Sequence, residues 1–406
     1  MPEQATLTIH DVGSQIRATC LVGPPDEDPD EYVAVLTRDR ASLATLIGSI
    51  KKAIPGETTS IWAGLKDPLA APAAGLVTQR FKECMELTIE EGSKLYAELS
   101  DHGLGDILRR LDQMPDGSRL RVSTDCAFLP WEILYPEPFS SGTPERFRPA
   151  PAEPRKLWGY RFVTSYNLLE TGQTNVKWGE LRAAHRSGPP YVSVNLNTTI
   201  EDSFTNRPFH PIKHHLDFFT SRLGGAQSGE VNDSPDEIYE QLYAPEQQPT
   251  LLYLYCHGTN TNPYAPGNEE LLEIDADVRI KPVNLSSSKG EYARAPVIFL
   301  NSCTSGQPSP LSFSSFHSAF RGKKAIGLIG TAIEMPATFG AAFGCELINR
   351  YLAGQQLGVA IYALRRELVE RGIPLALFYS LQCPAELSAP AAAQPQAATP
   401  TQEATP

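Results

Sequence analysis

The sequence predicts an α/β fold built around a mostly parallel sheet with helices on both faces. Two near-continuous apolar runs carry that prediction, 251–258 (Leu-Leu-Tyr-Leu-Tyr-Cys-His-Gly) and 296–303 (Pro-Val-Ile-Phe-Leu-Asn-Ser-Cys). A strand buried on both faces, as parallel strands are, needs apolar side chains at odd and even positions alike. Both runs stop abruptly at small polar residues, and from residue 191 onward strand patterns alternate with helical ones. The carboxyl ends of such strands open on a crevice where ligands bind. His257 and Cys303, 46 residues apart, are therefore expected to reach one cleft from neighbouring strands.

From the start of the chain, 5–17 and 32–37 read as the strands of a hairpin around a Pro-rich loop holding Asp26, Glu27, Asp28, Asp30 and Glu31. That loop is read as a solvated turn. Helical periodicity follows near 42–53 and through 84–111. A strand at 119–124 leads into a Pro-Trp-Glu element at 130–132, and the repeated prolines of 137–154 make that stretch an irregular excursion. A strand at 160–169 closes the first part. Gly188-Pro189-Pro190 then breaks the chain, and 191–196 (Tyr-Val-Ser-Val-Asn-Leu) opens a new wound unit. Helices at 210–223 and 235–243, the His257 and Cys303 strands, a helix near Phe316, a strand from Ile326, two more helices and a closing strand at 373–381 complete it. Beyond Pro384 the chain is mostly Ala, Pro, Gln and Thr, with too few apolar groups to offset the entropy of ordering. A disordered tail is expected there, dispensable from residue 385. No period near 34 residues marks tetratricopeptide repeats.

At 406 residues and 41% hydrophobic, the chain can bury a large core in one large or two ordinary domains. No run approaches the roughly 18 apolar residues of a membrane span and no signal peptide opens the sequence, so a cytoplasmic protein without membrane contact is expected. The net charge of −12 argues against direct nucleic-acid binding. Seven scattered cysteines, without the paired spacing of a zinc or redox site, suit a reducing compartment and require no cofactor. Cys20, Cys84, Cys256, Cys345 and Cys383 are assigned to core packing, Cys256 because it should point away from His257 across its strand. Cys126, beside Asp125, lacks a His-Gly partner in its half. His210, His214 and His215 are read as surface histidines, because neighbouring helical residues diverge by about 100° and no thiol or carboxylate set completes a metal site.

Further residues sharpen the reading: Asn301-Ser302-Cys303-Thr304-Ser305-Gly306, the run 325–331 (Ala-Ile-Gly-Leu-Ile-Gly-Thr), 336–343 (Pro-Ala-Thr-Phe-Gly-Ala-Ala-Phe), Leu352-Ala353-Gly354, the amphipathic stretch 360–368 and the ending 373–381. Together they resemble the CHAT branch of the caspase-like, clan CD cysteine peptidases, relatives of caspases, metacaspases and separase. Upstream, 128–135 (Phe-Leu-Pro-Trp-Glu-Ile-Leu-Tyr) is similar to that family's Leu-Pro-Trp-Glu element. The His-to-Cys spacing is close to the roughly 50 residues of caspases. The resemblance implies a caspase-like three-layer sandwich around a mostly parallel sheet, with an N-terminal pseudo-caspase or scaffold half at 1–180, a catalytic half at 186–386 and a tail at 387–406. It also implies a regulated cysteine endopeptidase of bacterial origin. Its substrate would be a protein encoded nearby, such as a pore-forming effector in antiviral defence. Oligomeric state is left open.

The chemistry needs few parts. A free thiol with a pKa of about 8.5 is mostly protonated at neutral pH, so a base or an electropositive strand end must raise the thiolate fraction of Cys303. His257 is the candidate for that work, and in the family pattern it acts chiefly as general acid for the leaving amine. Charge developing on the carbonyl oxygen needs preorganised donors, and the amide N–H groups of Gly258 and Cys303 are the expected oxyanion hole. In caspase-like peptidases the residue two before the nucleophile faces the S1 pocket. That assigns Asn301 to substrate binding and favours an uncharged P1 residue, whereas Glu334 entering the same pocket would favour Arg or Lys. Two other classes stay open. A caspase-like domain can lose its chemistry and persist as an interaction module. Cys303 could instead serve an α/β hydrolase, against which stand the missing Gly-x-Ser-x-Gly elbow and the His-before-Cys order.

Overall fold

The computed structural model describes residues 3–390 apart from 13–14, 26, 39, 63, 72–75, 126–128, 145, 147, 149–150, 169–176, 224–228, 244–247, 260–269, 289 and 303–314. Strands β1 (Gln4–Val12), β2 (Gln15–Gly23) and β3 (Asp30–Leu36) form an antiparallel meander. Val12 pairs with Gln15, so the run 5–17 expected as one strand is one strand and the start of a second, with only Gly13 and Ser14 between them. The Gly-Ser turn signal is hidden by strand-like alternation on either side of it. Ala5, Leu7 and Ile9 of β1 and Ile16, Ala18, Cys20 and Val22 of β2 are buried, while Val12, Leu21, Val33 and Val35 lie exposed on the opposite face. Helices α1 (Arg40–Trp62), α2 (Leu76–Leu99) and α3 (Gly105–Asp112) share a core with the buried face. Strand β4 (Arg119–Thr124), the short helix α4 (Trp158–Arg161) and strand β5 (Val163–Leu168) follow, giving the sheet order β3-β2-β1-β4-β5 with β1, β4 and β5 parallel.

Next come α5 (Trp178–His185), β6 (Val192–Leu196), α6 (Pro211–Arg222), β7 (Gly229–Asn232), α7 (Pro235–Tyr243) and β8 (Leu251–Tyr255). Strands β9 (His257–Thr259), β10 (Leu271–Glu273) and β11 (Arg279–Ile280) make a small antiparallel sheet. The chain then runs through α8 (Pro282–Ser287), β12 (Val297–Asn301), α9 (Phe316–Gly322), β13 (Gly327–Thr331), α10 (Ala337–Leu352), α11 (Leu357–Glu370) and β14 (Tyr379–Gln382). The large sheet has the order β14-β13-β12-β8-β6-β7 and is parallel throughout except for β14. Every residue of β6, β8, β12 and β13 is buried, the polar Ser193, Asn195, Asn301 and Thr331 included, as strands covered on both faces require. Odd-numbered side chains of β8 and β12 pack with α6 and α10, even-numbered ones with α7, α8 and α9. This is the mixed α/β class predicted, helix layers on both faces of a mostly parallel sheet.

The two larger sheets meet where β14 lies against β5, and one apolar core runs through both, from Ala5 to Ala389. A buried ion pair crosses this junction. Glu132, in the buried 3-10 turn Trp131–Ile133, meets Arg365 of α11 at 2.8 Å, with side chains 2% and 1% exposed. Thr164 Oγ1 donates to the same carboxylate at 2.9 Å, as does the Tyr166 hydroxyl. The Pro-Trp-Glu element is thus a structural tie between the two parts of the chain. No helix among the described residues is long and apolar enough to cross a membrane.

The expectation of a loose chain beyond Pro384 is corrected. Ala385, Leu387 and Ala389 are buried. The carbonyls of Leu387 and Ala385 accept the unpaired first N–H groups of α11, from Leu357 at 2.6 Å and Gly358 at 2.9 Å. Glu386 pairs with Arg182 at 2.6 Å. Composition averaged over the tail hid these few anchors. Residues 391–406 lie outside the described residues. Ending the chain at Pro384 is expected to lower the thermal midpoint by several degrees, since burial of Leu387 alone is worth about 1.5–3 kcal/mol. A truncated protein that melts with the full chain would show the 385–389 segment to be dispensable.

Candidate active site

Tyr255, the last residue of β8, stands opposite Asn301, the last of β12. Cys256 follows and is buried on the α7–α9 side, while His257, one residue further, is exposed. Strand alternation separates the two as expected. The described cysteines, Cys20, Cys84, Cys256, Cys345 and Cys383, are all buried and outside any disulfide. Burial pushes the Cys20 thiol up to about 12 and raises Cys345 and Cys383 as well, so these three stay protonated at neutral pH. Cys303, with its expected nucleophile and oxyanion roles, and Cys126 lie outside the described residues. Asp125, next to Cys126, accepts the Asp11 N–H at 2.8 Å and meets His10 Nδ1 at 3.0 Å.

His257 opens β9 and pairs across the ladder with Glu273, and Gly258 pairs with Leu272. Opposed residues in an antiparallel ladder have Cβ atoms about 4.5–5.5 Å apart, so Glu273 flanks the imidazole. Its carboxylate is held by Arg279 Nε at 2.9 Å. Buried Asn197, just past β6, anchors the small sheet to the large one. Its backbone N–H donates to the Tyr255 carbonyl at 2.9 Å and its Nδ2 to the Glu273 carbonyl at 2.8 Å, while its Oδ1 accepts from the Thr199 N–H at 3.0 Å. Sequence reasoning missed Asn197, Glu273 and Arg279. Strands as short as β10 and β11 carry no periodicity, and Asn197 before two threonines reads only as a helix cap.

The other strand end is also tied down. Ser302 is buried, and its carbonyl accepts from Thr331 Oγ1 of β13 at 2.6 Å. The expectation for Asn301 is corrected. The residue is 3% exposed, its Nδ2 donates to Tyr253 Oη at 2.8 Å and to the Gly340 carbonyl at 2.7 Å, and its Oδ1 accepts from Tyr379 Oη at 2.7 Å. Both amide hydrogens are spent inside the core, so the side chain offers no donor to a substrate. Alternation does aim it away from the α7–α9 side, but helix α10 covers that direction. The preference for an uncharged P1 residue, which rested on Asn301, loses its basis. Glu334 is exposed between β13 and α10, so the two expected substrate contacts are not brought together, one being in the core and the other in solvent.

The histidine cluster divides. His210 Nδ1 meets Glu201 at 2.7 Å and His214 is half-buried against Phe209. His215, expected at the surface, is fully buried, with Nδ1 2.8 Å from the Pro211 carbonyl and Nε2 2.8 Å from Tyr253 Oη. Burial pulls this imidazole down to about 3, so it is neutral. Nδ1–H then donates to Pro211 and Nε2 accepts from the Tyr253 hydroxyl. Ile212, His215 and Phe219 share the inner face of α6, a helical spacing that grouping the histidines by chemistry obscures.

No family model matches the chain, and no curated protein matches it in sequence. In three dimensions it is similar to chains in two crystal structures of the Saccharomyces cerevisiae separase–securin complex. The first is 9% identical at a TM-score of 0.47 and the second 11% identical at 0.46, each covering 94% of this chain. The chain spans about 30% of the length of the chains it matches. The α/β class stands on the strand order and directions themselves.

Proposed function

We propose that the protein is a cysteine endopeptidase of the CHAT type, with Cys303 as nucleophile and His257 as its acid–base partner. One observation carries the reading. His257 is exposed two residues past a strand pair, Tyr255 opposite Asn301, in the middle of a buried parallel sheet, and Cys303 is two residues past the other member of that pair. The thiolate adds to the scissile carbonyl, His257 protonates the leaving amine, and water hydrolyses the thioester. The Gly258 and Cys303 amides are the proposed oxyanion donors. Glu334 is kept as an exposed carboxylate for a basic P1 residue. A scaffold half at 1–180 beside a catalytic half at 186–386, a reducing cytoplasmic setting and a protein substrate encoded nearby, such as a pore-forming effector of antiviral defence, belong to the same reading through the resemblance.

The test is incubation with the proteins encoded beside it and with a peptide library. Wild type is expected to cleave, Cys303→Ala and His257→Ala each to lose cleavage while keeping their fold, and the double variant to lose no more than either single, because the pair acts as a unit. Cleavage that survives in Cys303→Ala places the nucleophile elsewhere. A catalytically idle interaction module is the second reading, favoured by the open face of the first sheet with Val12, Leu21, Val33 and Val35 exposed. It predicts partner capture without cleavage, unaffected by either substitution.

A further inference from the structure

Resting on the reading of Cys303 and His257 as the reactive pair, we propose that Asn301 is a positioning residue. Its carboxamide, clamped between Tyr253 of β8, Tyr379 of β14 and helix α10, sets where the carboxyl ends of β8 and β12 stand relative to each other. The clamp is a chain of hydrogen bonds with a single direction. The Tyr379 hydroxyl donates to Asn301 Oδ1, Asn301 Nδ2 donates to Tyr253 Oη, the Tyr253 hydroxyl donates to His215 Nε2, and His215 Nδ1 donates to the Pro211 carbonyl. Reversing one link would leave two donors or two acceptors facing each other in the core. A buried polar chain in which each link is paired holds one arrangement, where an apolar core of the same size would tolerate several.

The surroundings are cut to admit it. A Cβ on Gly344 would stand 2.4 Å from Tyr253 Oη and 2.9 Å from Asn301 Nδ2, and one on Gly340 would stand 3.1 Å from Asn301 Oδ1. Helix α10 therefore carries glycine at two positions four apart on the face that meets the clamp, despite the cost of glycine inside a helix. The Tyr255 hydroxyl donates to the Ala337 carbonyl at 2.8 Å, so α10 holds the end of β8 as well as that of β12. At the far side the Tyr379 carbonyl accepts from Arg365, which pairs with Glu132. The network thus runs from Thr164 of β5 in the first sheet, through Arg365 and Tyr379, to Asn301, two residues before Cys303, and to Tyr253, four before His257. Loss of one bond would displace a strand end by a fraction of an ångström, and misplacement on that scale acts on the chemical step more than on substrate binding.

Tyr379→Phe removes the donor to Asn301 and keeps the ring, and Tyr253→Phe is the second variant should the first not fold. Two quantities are measured: the rate at which iodoacetamide alkylates Cys303, followed by mass spectrometry, and kcat and KM on a cleaved peptide. Both variants are expected to melt cooperatively, with Cys303 alkylation and kcat down roughly tenfold and KM and P1 preference unchanged. Alkylation of wild-type Cys303 no faster than that of free cysteine removes the reading of the reactive pair, and the inference with it. A fast wild-type reaction with variants equally fast overturns the inference alone. So does a lowered melting temperature with unchanged kcat per folded molecule, or an altered P1 preference in Asn301→Ser, which would return Asn301 to the substrate pocket.

Discussion

Arg365→Met is expected to destabilise the protein by about 3–5 kcal/mol, because it leaves the Glu132 carboxylate buried without its counter-charge. The Arg365 guanidinium donates to Glu132 Oε1 at 2.8 Å, to Thr164 Oγ1 at 2.6 Å and to the Tyr379 carbonyl, tying α11 to β5 and β14. After the substitution Thr164 and Tyr166 still donate to the carboxylate, but two hydroxyl hydrogen bonds do not replace a counter-charge in a site closed to water. Removing both charges is a different experiment. In Glu132→Leu with Arg365→Met the desolvation penalty disappears with the attraction, so much of the loss should be recovered. Urea unfolding of the two single variants and the double closes the cycle. A single Arg365→Met variant within about 1 kcal/mol of wild type would mean that water reaches the pair.

Acid should unfold the protein earlier than its surface charges would suggest, and His215 should be the largest single cause. The unfolded chain protonates this imidazole near 6.5, whereas burial holds the folded one down to about 3. Between those values the unfolded state binds the extra proton, so stability rises with pH across the window. It is fully present above about 6.5 and falls as pH drops toward 3, by on the order of 5 kcal/mol once the whole window is crossed. His185 adds in the same direction: burial lowers it too, and its Nδ1 meets the Ala295 carbonyl at 3.1 Å. Urea midpoints measured between about pH 7 and pH 4 should fall steeply in wild type and less steeply in His215→Asn, which has no proton to gain. Equal slopes in the two proteins would assign the acid sensitivity to other groups.

Much of this architecture is legible in the chain because burial writes itself into local pattern. The runs 251–256 and 296–300 are apolar at each position since both faces of their strands are covered, and β1 and β2 alternate since only one of theirs is. That Cys256 packs and His257 faces out also follows from the two-residue period of a strand. The misreadings share a cause. The alternation of a strand gives the direction in which Asn301 points, but whether that direction meets a pocket or a helix depends on α10, which crosses it through Gly340 and Gly344. His215 looked like a surface residue beside His214 until Tyr253 supplied a partner 38 positions away. Leu387 vanished into the composition of its tail, although it caps a helix that begins thirty residues earlier.

By itself, then, the sequence determined the α/β class, the parallel strand pair and the emergence of His257 past the carboxyl end of β8, because periodicity and solvation act on neighbours along the chain. The tertiary structure alone decided that Glu132 pairs with Arg365 across 233 positions and that Asn301 is locked between two tyrosines. It also decided that Glu273 stands beside His257. A hydrogen bond or ion pair between distant residues leaves no period in the sequence. Its partners are chosen by which surfaces the packed elements bring within about 3 Å, and by the cost of leaving a buried polar group unpaired.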